Sequence, residues 1–459
     1  MVSHPEVRHI SRCSIKPEFV SEESKQRFHL TPWDLSLLSA HYIQTGLLFS
    51  KPIATNDPSI TIIDNLKDSL SRTLVQFLPL AGHLVTHKQE DPPSYSISIS
   101  LDCKNTPGVE FMHAVADVTT SDILSPIDVP PIVQSFFPLD KAVNHDGHTL
   151  PLLAVQVTEI LDGIFIACSF NHVVGDGVSY WNFFNAWAEI CRTINGKQDH
   201  ISCPPILQRW FLDGHGPIIN LPFSHHDEFI DRYRPPVVLR ERYFHFSSQS
   251  IARLKAKANT EDNTSTISSF QALSALVWRC VTRSRRRLSS HQKTSCRFAI
   301  NNRSRLNPPL SPDYFGNCVQ PAGADATVGE VLNHGFGWAA RLLHDAVSGH
   351  SDSKVRESLE AWMRSPLIYQ FRKHFDPSSI MMGCSPRFNM YGCDFGWGKA
   401  EAVRSGSANK FDGKVSLYPG REGGGSVDLE VNLPAESMTA LESDPEFMDA
   451  VSPSQHQTH

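Results

Sequence analysis

Residues 151–177 read PLLAVQVTEILDGIFIACSFNHVVGDG, and this stretch decides the fold. Two apolar runs of strand length, 152–160 and 164–170, are joined by Leu161-Asp162-Gly163, and Asp-Gly at a short gap signals a hairpin. Beyond Phe170 the period changes. Tyr180, Phe183, Phe184, Trp187 and Cys191 recur at a spacing near 3.6, which predicts a helix over 177–191. The segment Asn171 to Gly177 therefore lies where a buried strand stops and a helix begins, a place from which a scaffold aims side chains into a crevice. His172 is the candidate base, because a neutral imidazole has its pKa near working pH. Asp176 is expected to cap the helix or hold the turn. Gly175 and Gly177 are expected to allow a tight turn with unusual backbone angles.

Working outward, Leu66, Leu70, Leu74 and Phe77 form one apolar stripe, a helix over 62–77. Tyr95, Ile97, Ile99 and Leu101 alternate with serines, a half-buried strand. The stretch 195–236 is polar and rich in proline and glycine, and so long a run without periodicity reads as a crossover between two halves. After it come a strand at 243–246, a helix at 250–257, and a helix over 268–283 opened by a Ser268/Gln271 capping box. Helical pattern returns over 328–347 and 355–363, and 427–433 alternates as a strand. Strands and helices mix along both halves, so the class is α/β with large sheets. The expected division is 1–194, a crossover at 195–236, and 237–459.

The chain has 459 residues, 40% hydrophobic and 20% charged, enough for two cores and a cleft between them. A net charge of −6 gives no reason to expect nucleic acid or an anionic membrane as partner. Arg283, Arg285, Arg286 and Arg287 follow a helical segment and read as cations at a helix C-terminus. The ten cysteines include no CxxC pair and fit reduced thiols. The start of the chain is polar and no apolar run reaches the ~20 residues that span a bilayer, so a cytoplasmic protein is expected, and a monomer because a cleft between two halves is complete in one chain. His225-His226-Asp227-Glu228 lacks further spaced ligands and reads as a surface loop, so no metal site is expected. Neither GxGxxG, GxxxxGK nor GxSxG is present in the required context, which argues against Rossmann, P-loop and serine-hydrolase chemistry.

A second constellation is Asp394-Phe395-Gly396-Trp397-Gly398. Its glycines permit close backbone approach and its aromatics can anchor a loop, so it reads as a segment that shapes a site rather than one that reacts. Together, His172-x-x-x-Asp176-Gly177 and Asp394 to Gly398 resemble the two signature motifs of the BAHD acyl-CoA transferases, the plant HxxxD-type acyltransferases. Three further segments share the resemblance: 77–84, with His83 where the family commonly has arginine; 268–279; and 302–310 followed by Tyr314-Phe-Gly-Asn317. It covers nearly the whole chain.

The resemblance implies two chloramphenicol-acetyltransferase-like α/β domains of similar size with mixed sheets, joined by a long crossover loop. A segment near 375–400 is expected to pair with the N-terminal domain. It implies acyl-CoA as co-substrate with no permanently bound cofactor, a small alcohol or amine as acceptor, and His172 as general base with no covalent acyl-enzyme. Asp176 is implied to pair with Arg303 rather than Arg305. Gly177, Asp394, Gly396, Trp397 and Gly398 are implied to support the site, with Trp397 shaping the CoA side. Ser268, Ser269, Lys255 and Lys399 are the candidate CoA contacts. Two other readings stay open at the level of sequence: a CoA-independent lyase on the same fold, and a non-catalytic binding paralogue.

Overall fold

The computed structural model describes residues 5–20, 27–51, 62–91, 94–193, 201–232, 235, 237–374 and 376–453. The chain's two ends, the expected domain limit at 194, the crossover's start at 195–200 and its end at Pro236 lie outside them.

The expected hairpin is the centre of a six-stranded sheet. Leu153–Glu159 pairs antiparallel with Gly163–Phe170, and Ile160 N donates to Gly163 O at 3.0 Å. The sheet order is Val7–Ile15, Val109–Ala116, Leu153–Glu159, Gly163–Phe170, Ile43–Ser50 and Ala402–Ser405. All eight residues of Gly163–Phe170 are buried, as a continuous apolar run predicts for a strand covered on both faces. One face packs on the helices Ile62–Gln76 and Gly177–Thr193 through Leu66, Leu70, Leu74, Phe183 and Trp187. The other face is covered by Val133, Phe136 and Phe137.

A second six-stranded sheet runs Val319–Thr327, Lys293–Asn301, Ile380–Gly383, Lys414–Pro419, Val427–Pro434 and Leu239–Phe246. Both sheets mix parallel and antiparallel neighbours. In the second sheet Val415, Leu417, Leu429, Val431 and Leu433 point to a core closed by Leu273, Val277 and Trp278 of the Ser269–Ser284 helix. Ser268 caps that helix with Gln271 in the expected box. A three-stranded sheet, Arg27–His29, Ser94–Asp102 and His83–Asp91, completes the strands described. No helix among the described residues is long and apolar enough to cross a membrane.

Several expectations need correction. The helix expected over 328–347 is two, Val328–Asn333 and Phe336–Ser348. His334 and Gly335 are extended between them, and Arg279 donates to the freed carbonyls of Val331 and His334 at 2.6 and 2.7 Å. That satisfies acceptors a helix end leaves unpaired. The segment expected near 375–400 to join the first sheet is Ala402–Ser405, just beyond that range and antiparallel to Ile43–Ser50. The earlier segment splits: Ile380–Gly383 enters the second sheet, while Phe395 packs on the first core. The described part of the crossover, 201–232, holds one 3-10 turn, His226–Glu228, and is tied by bridges from Leu221 to Ile97 and from Ile206 to Tyr314. Of the basic run, Arg283 pairs with Asp444 and Glu446, Arg285 with Asp412, and Arg287 with Glu436. All ten cysteines are free.

The Asp394–Gly398 loop is held by ring packing. Phe395 meets Trp187 edge-on at 5.0 Å and also contacts Phe49, Phe184 and Trp397. Phe395→Ala is expected to destabilise the protein by about 3–5 kcal/mol, the range for emptying a buried aromatic site. Urea unfolding measures it; a loss below about 1 kcal/mol would remove this loop from the first core.

Candidate active site

His172 sits just past the C-terminal end of Gly163–Phe170, and asparagine side chains fix its backbone. His172 N donates to Asn144 Oδ1 at 2.8 Å, Asn171 Nδ2 donates to Asn144 O at 2.8 Å, and Asn317 Nδ2 donates to His172 O at 2.7 Å. Asn317 is itself held by Asp34, whose Oδ1 accepts from Asn317 Nδ2 at 2.8 Å while Oδ2 completes a capping box with Thr31. The His172 ring lines a cavity of about 1380 Å³ between the two halves. Its Nδ1 is buried, which leaves Nε2 as the nitrogen facing the cavity. Burial is the largest influence on the ring and pushes its pKa below the ordinary 6.5, against the opposing pull of its own carbonyl and of Asp176. The ring is therefore neutral at pH 7.

Asp176 faces away from this chemistry. Its two oxygens meet the Arg303 guanidinium at 2.8 and 3.0 Å, a bidentate pair. They also accept from Val178, Ser179 and Cys318 backbone N–H groups. Burial, the largest single influence, would raise the carboxyl's pKa; the Arg303 charge and the hydrogen bonds from Arg303, Cys318 and Ser179 together outweigh it and hold the group below the usual carboxylate range. Arg303 spends its other donors on the carbonyls of Tyr314 and Gly316. Arg305 instead donates to Val347 and His350 carbonyls and borders the cavity. Gly175 and Gly177 do not have positive φ, contrary to the expectation of unusual angles. They are required for close approach: a Cβ at Gly175 would stand 2.5 Å from Ser179 Cβ, and one at Gly177 2.8 Å from the Phe388 ring.

Positive φ belongs to the second motif, at Gly396 (97°) and Gly398 (89°). Asp394 Oδ1 accepts from both of their N–H groups at 2.8 Å, so the loop is a self-closed turn whose acid is used internally. Asp394 reaches the cavity wall, whereas Trp397 stacks on Phe395 and meets Phe49 edge-on, outside the residues lining the cavity. Of the candidate CoA contacts, Ser268 lines the cavity. Ser269 and Lys255 do not, Lys255 being exposed on the outer face of the Ser248–Glu261 helix. Lys399 is turned to the carbonyl of Arg421 and the ring of Tyr391. His225, His226 and Asp227 bring ligand atoms within 4.8 Å of one another, fully at the surface and away from this cavity.

Sequence reasoning missed Asp34, Asn144 and the role of Asn317. It also missed the polar wall of the cavity contributed by the second sheet, including Lys414, Ser416, Tyr418 and Glu430. Alternation in 427–433 signals that one strand face is polar, but not that the polar face is covered.

The model of the Transferase family matches residues 6–448. An uncharacterized acetyltransferase of Arabidopsis thaliana is 37% identical over 97% of this chain and 99% of its own length. The BAHD acyltransferase DCR of the same plant is 34% identical over 96% of this chain and 92% of its own. In fold the chain is similar to F. graminearum TRI101 complexed with coenzyme A and deoxynivalenol, with a TM-score of 0.71 at 19% identity over 93% of this chain and 99% of that one.

Removing one partner of a buried ion pair leaves the other charge uncompensated. Arg303→Met is therefore expected to cost about 3–5 kcal/mol in denaturant unfolding, and Arg305→Met clearly less. Equal losses for the two would contradict the assignment of Asp176's partner.

Proposed function

The chain belongs to the Transferase family, the BAHD acyltransferases, and from that premise we propose that it moves an acyl group from acyl-CoA to a hydroxyl or amine of a small specialised metabolite. One observation carries the reading: a neutral imidazole, fixed by its backbone and buried at Nδ1, faces a cavity large enough for two substrates.

His172 Nε2 takes the proton from the acceptor hydroxyl as its oxygen attacks the thioester carbonyl carbon. The tetrahedral intermediate collapses, the C–S bond breaks, and the proton on Nε2 passes to the departing thiolate. No acyl-enzyme forms, because the acceptor oxygen is itself the nucleophile. The proton-accepting groups around the ring are the carbonyls of His172 and Gly175 and the side chain of Asn317, which are available to hold the Nδ1–H tautomer that this requires. Asp176 and Arg303 position the turn and take no proton. The donor's phosphates lie along Ser268 and Arg305, a cavity wall with a helix N-terminus and a guanidinium bound only to carbonyls. TRI101, a protein of similar fold, is solved in complex with coenzyme A, which supports a CoA thioester as donor. The protein is proposed to work as a monomer, since the cavity is formed within one chain, and in the cytoplasm, where its ten free thiols would stay reduced.

An assay of free thiol release from acetyl-CoA with a mixture of phenolic and alicyclic alcohols tests this. Release should require an acceptor, and His172→Ala should lower kcat by about 10²–10⁴-fold. Acceptor turnover without CoA, or thiol release unchanged in the variant, overturns the reading. The ring must be neutral to act, so the acid limb of kcat/KM should be centred below pH 6.5, through the depressed pKa. An acid limb centred above 6.5 contradicts the assignment of His172 as base.

A further inference from the structure

The cavity face of the second sheet carries an unusual load of buried polar groups. Glu430 lies at its centre, 1% exposed. Its Oε2 accepts from Ser405 Oγ at 2.6 Å, Tyr418 OH at 2.9 Å and Tyr243 OH at 3.0 Å. Its Oε1 accepts from Asn432 Nδ2 at 3.2 Å and lies 3.3 Å from Lys410 Nζ. Lys410 also stands 2.5 Å from Glu241, so one ammonium serves both buried carboxylates. Both oxygens of Glu430 are thus accounted for within the protein.

Lys414 is the group left over. It begins Lys414–Pro419, opposite Asn432, on the same face as Ser416 and Tyr418. Among the described residues its Nζ has no hydrogen bond and no ion-pair partner, although it is sunk in the cavity wall. Burial pushes its pKa below the ordinary lysine range. The room for Nζ comes from Gly383 on the neighbouring strand, where any Cβ would overlap it. The nearby Glu430 and Cys384 favour its charge but do not outweigh the loss of water, and a substrate anion at the cavity would. Of the other cations that the second sheet and its flanking loop turn to this cavity, Arg297 is paired with Asp325, and Lys410 is committed to Glu241 and Glu430.

We propose that Lys414 anchors a carboxylate carried by a substrate of this cavity, either on the acyl acceptor or on the acyl group of the donor. This rests on the reading of the cavity as the acyl-transfer site, and it narrows the substrates to hydroxy or amino acids, or to dicarboxylic acyl thioesters. Lys414 here is a specificity residue and takes no part in moving the proton.

Binding is the readout that separates this inference from the transfer reading. On His172→Ala protein, which holds substrates without turning them over, calorimetry or ligand-observed NMR compares a panel of aromatic and alicyclic hydroxy acids with their methyl esters. A second arm compares malonyl-CoA and succinyl-CoA with acetyl-CoA and butyryl-CoA. At least one arm should favour the free carboxylate by about tenfold or more in Kd, since a charge-assisted contact is worth about 1.5–3 kcal/mol. Lys414→Met should abolish that preference and Lys414→Arg should retain part of it. No preference in either arm, or one that survives Lys414→Met, overturns the proposal. A thermal scan guards against a folding artefact: with no internal partner to lose, Lys414→Met should leave Tm unchanged or raise it. A fall of many degrees marks Lys414 as structural and overturns the proposal too. Failure of thiol release with binding intact counts against the transfer reading alone.

Discussion

The buried pair of Asp176 and Arg303 sets the geometry on which the rest of the site depends. Two ions removed from water are expensive, and such a pair is tolerated only when the remaining donors and acceptors are also met. Here they are, by Val178, Ser179 and Cys318 on one side and by Tyr314 and Gly316 on the other. One partner starts the Gly177–Thr193 helix of the first half; the other follows the Lys293–Asn301 strand of the second. The pair therefore fixes how the two sheets face each other, and with them the width of the cavity beside His172. An acid four residues from a catalytic base invites a charge-relay reading, but its oxygens are fully occupied by the guanidinium and by backbone N–H groups.

A second constraint follows from the way the sheets meet. The central strands of the second sheet give their apolar side to their own helices and polar groups to the cavity. Because that polar side is covered by the first half, its hydroxyls and carboxylates must satisfy one another, which the Glu430 network does. The cavity is thus chemically uneven. Aromatic and aliphatic side chains such as Trp33, Trp362 and Phe371 form one part of its lining, and the second sheet supplies ionised groups to another.

What could be read from sequence was what is local. The hairpin at 153–170, the helix after it and the capped helix from Ser269 each carry their own period or cap, and the first motif sits between two of them. His172 was legible because a strand-to-helix junction has a signature. Its supports were not. Asn144 and Asp34 reach it from distant segments, and nothing in the Thr31 to Asp34 cap announces that the acid's second oxygen holds Asn317. The break at His334 escaped for a related reason: the helical period continues through it, while the carbonyls it frees are paid off by Arg279 from another helix. Lysines were misjudged in both directions. Lys255 and Lys399 looked available for phosphate and are not in the cavity, whereas Lys414 lies in a strand too short for its alternation to stand out.

The return of Ala402–Ser405 to pair with Ile43–Ser50 bears on how the chain is made. A ribosome delivers the N-terminal segment first, and the sheet built from residues 7–170 then waits, one margin bare, until residue 405 has left the exit tunnel. Bare backbone of that kind is a template for unwanted pairing between nascent chains. Synthesis of the stretch between residues 170 and 405 is accordingly the interval in which the newborn protein most needs a chaperone, and truncation before residue 402 leaves that interval permanently open.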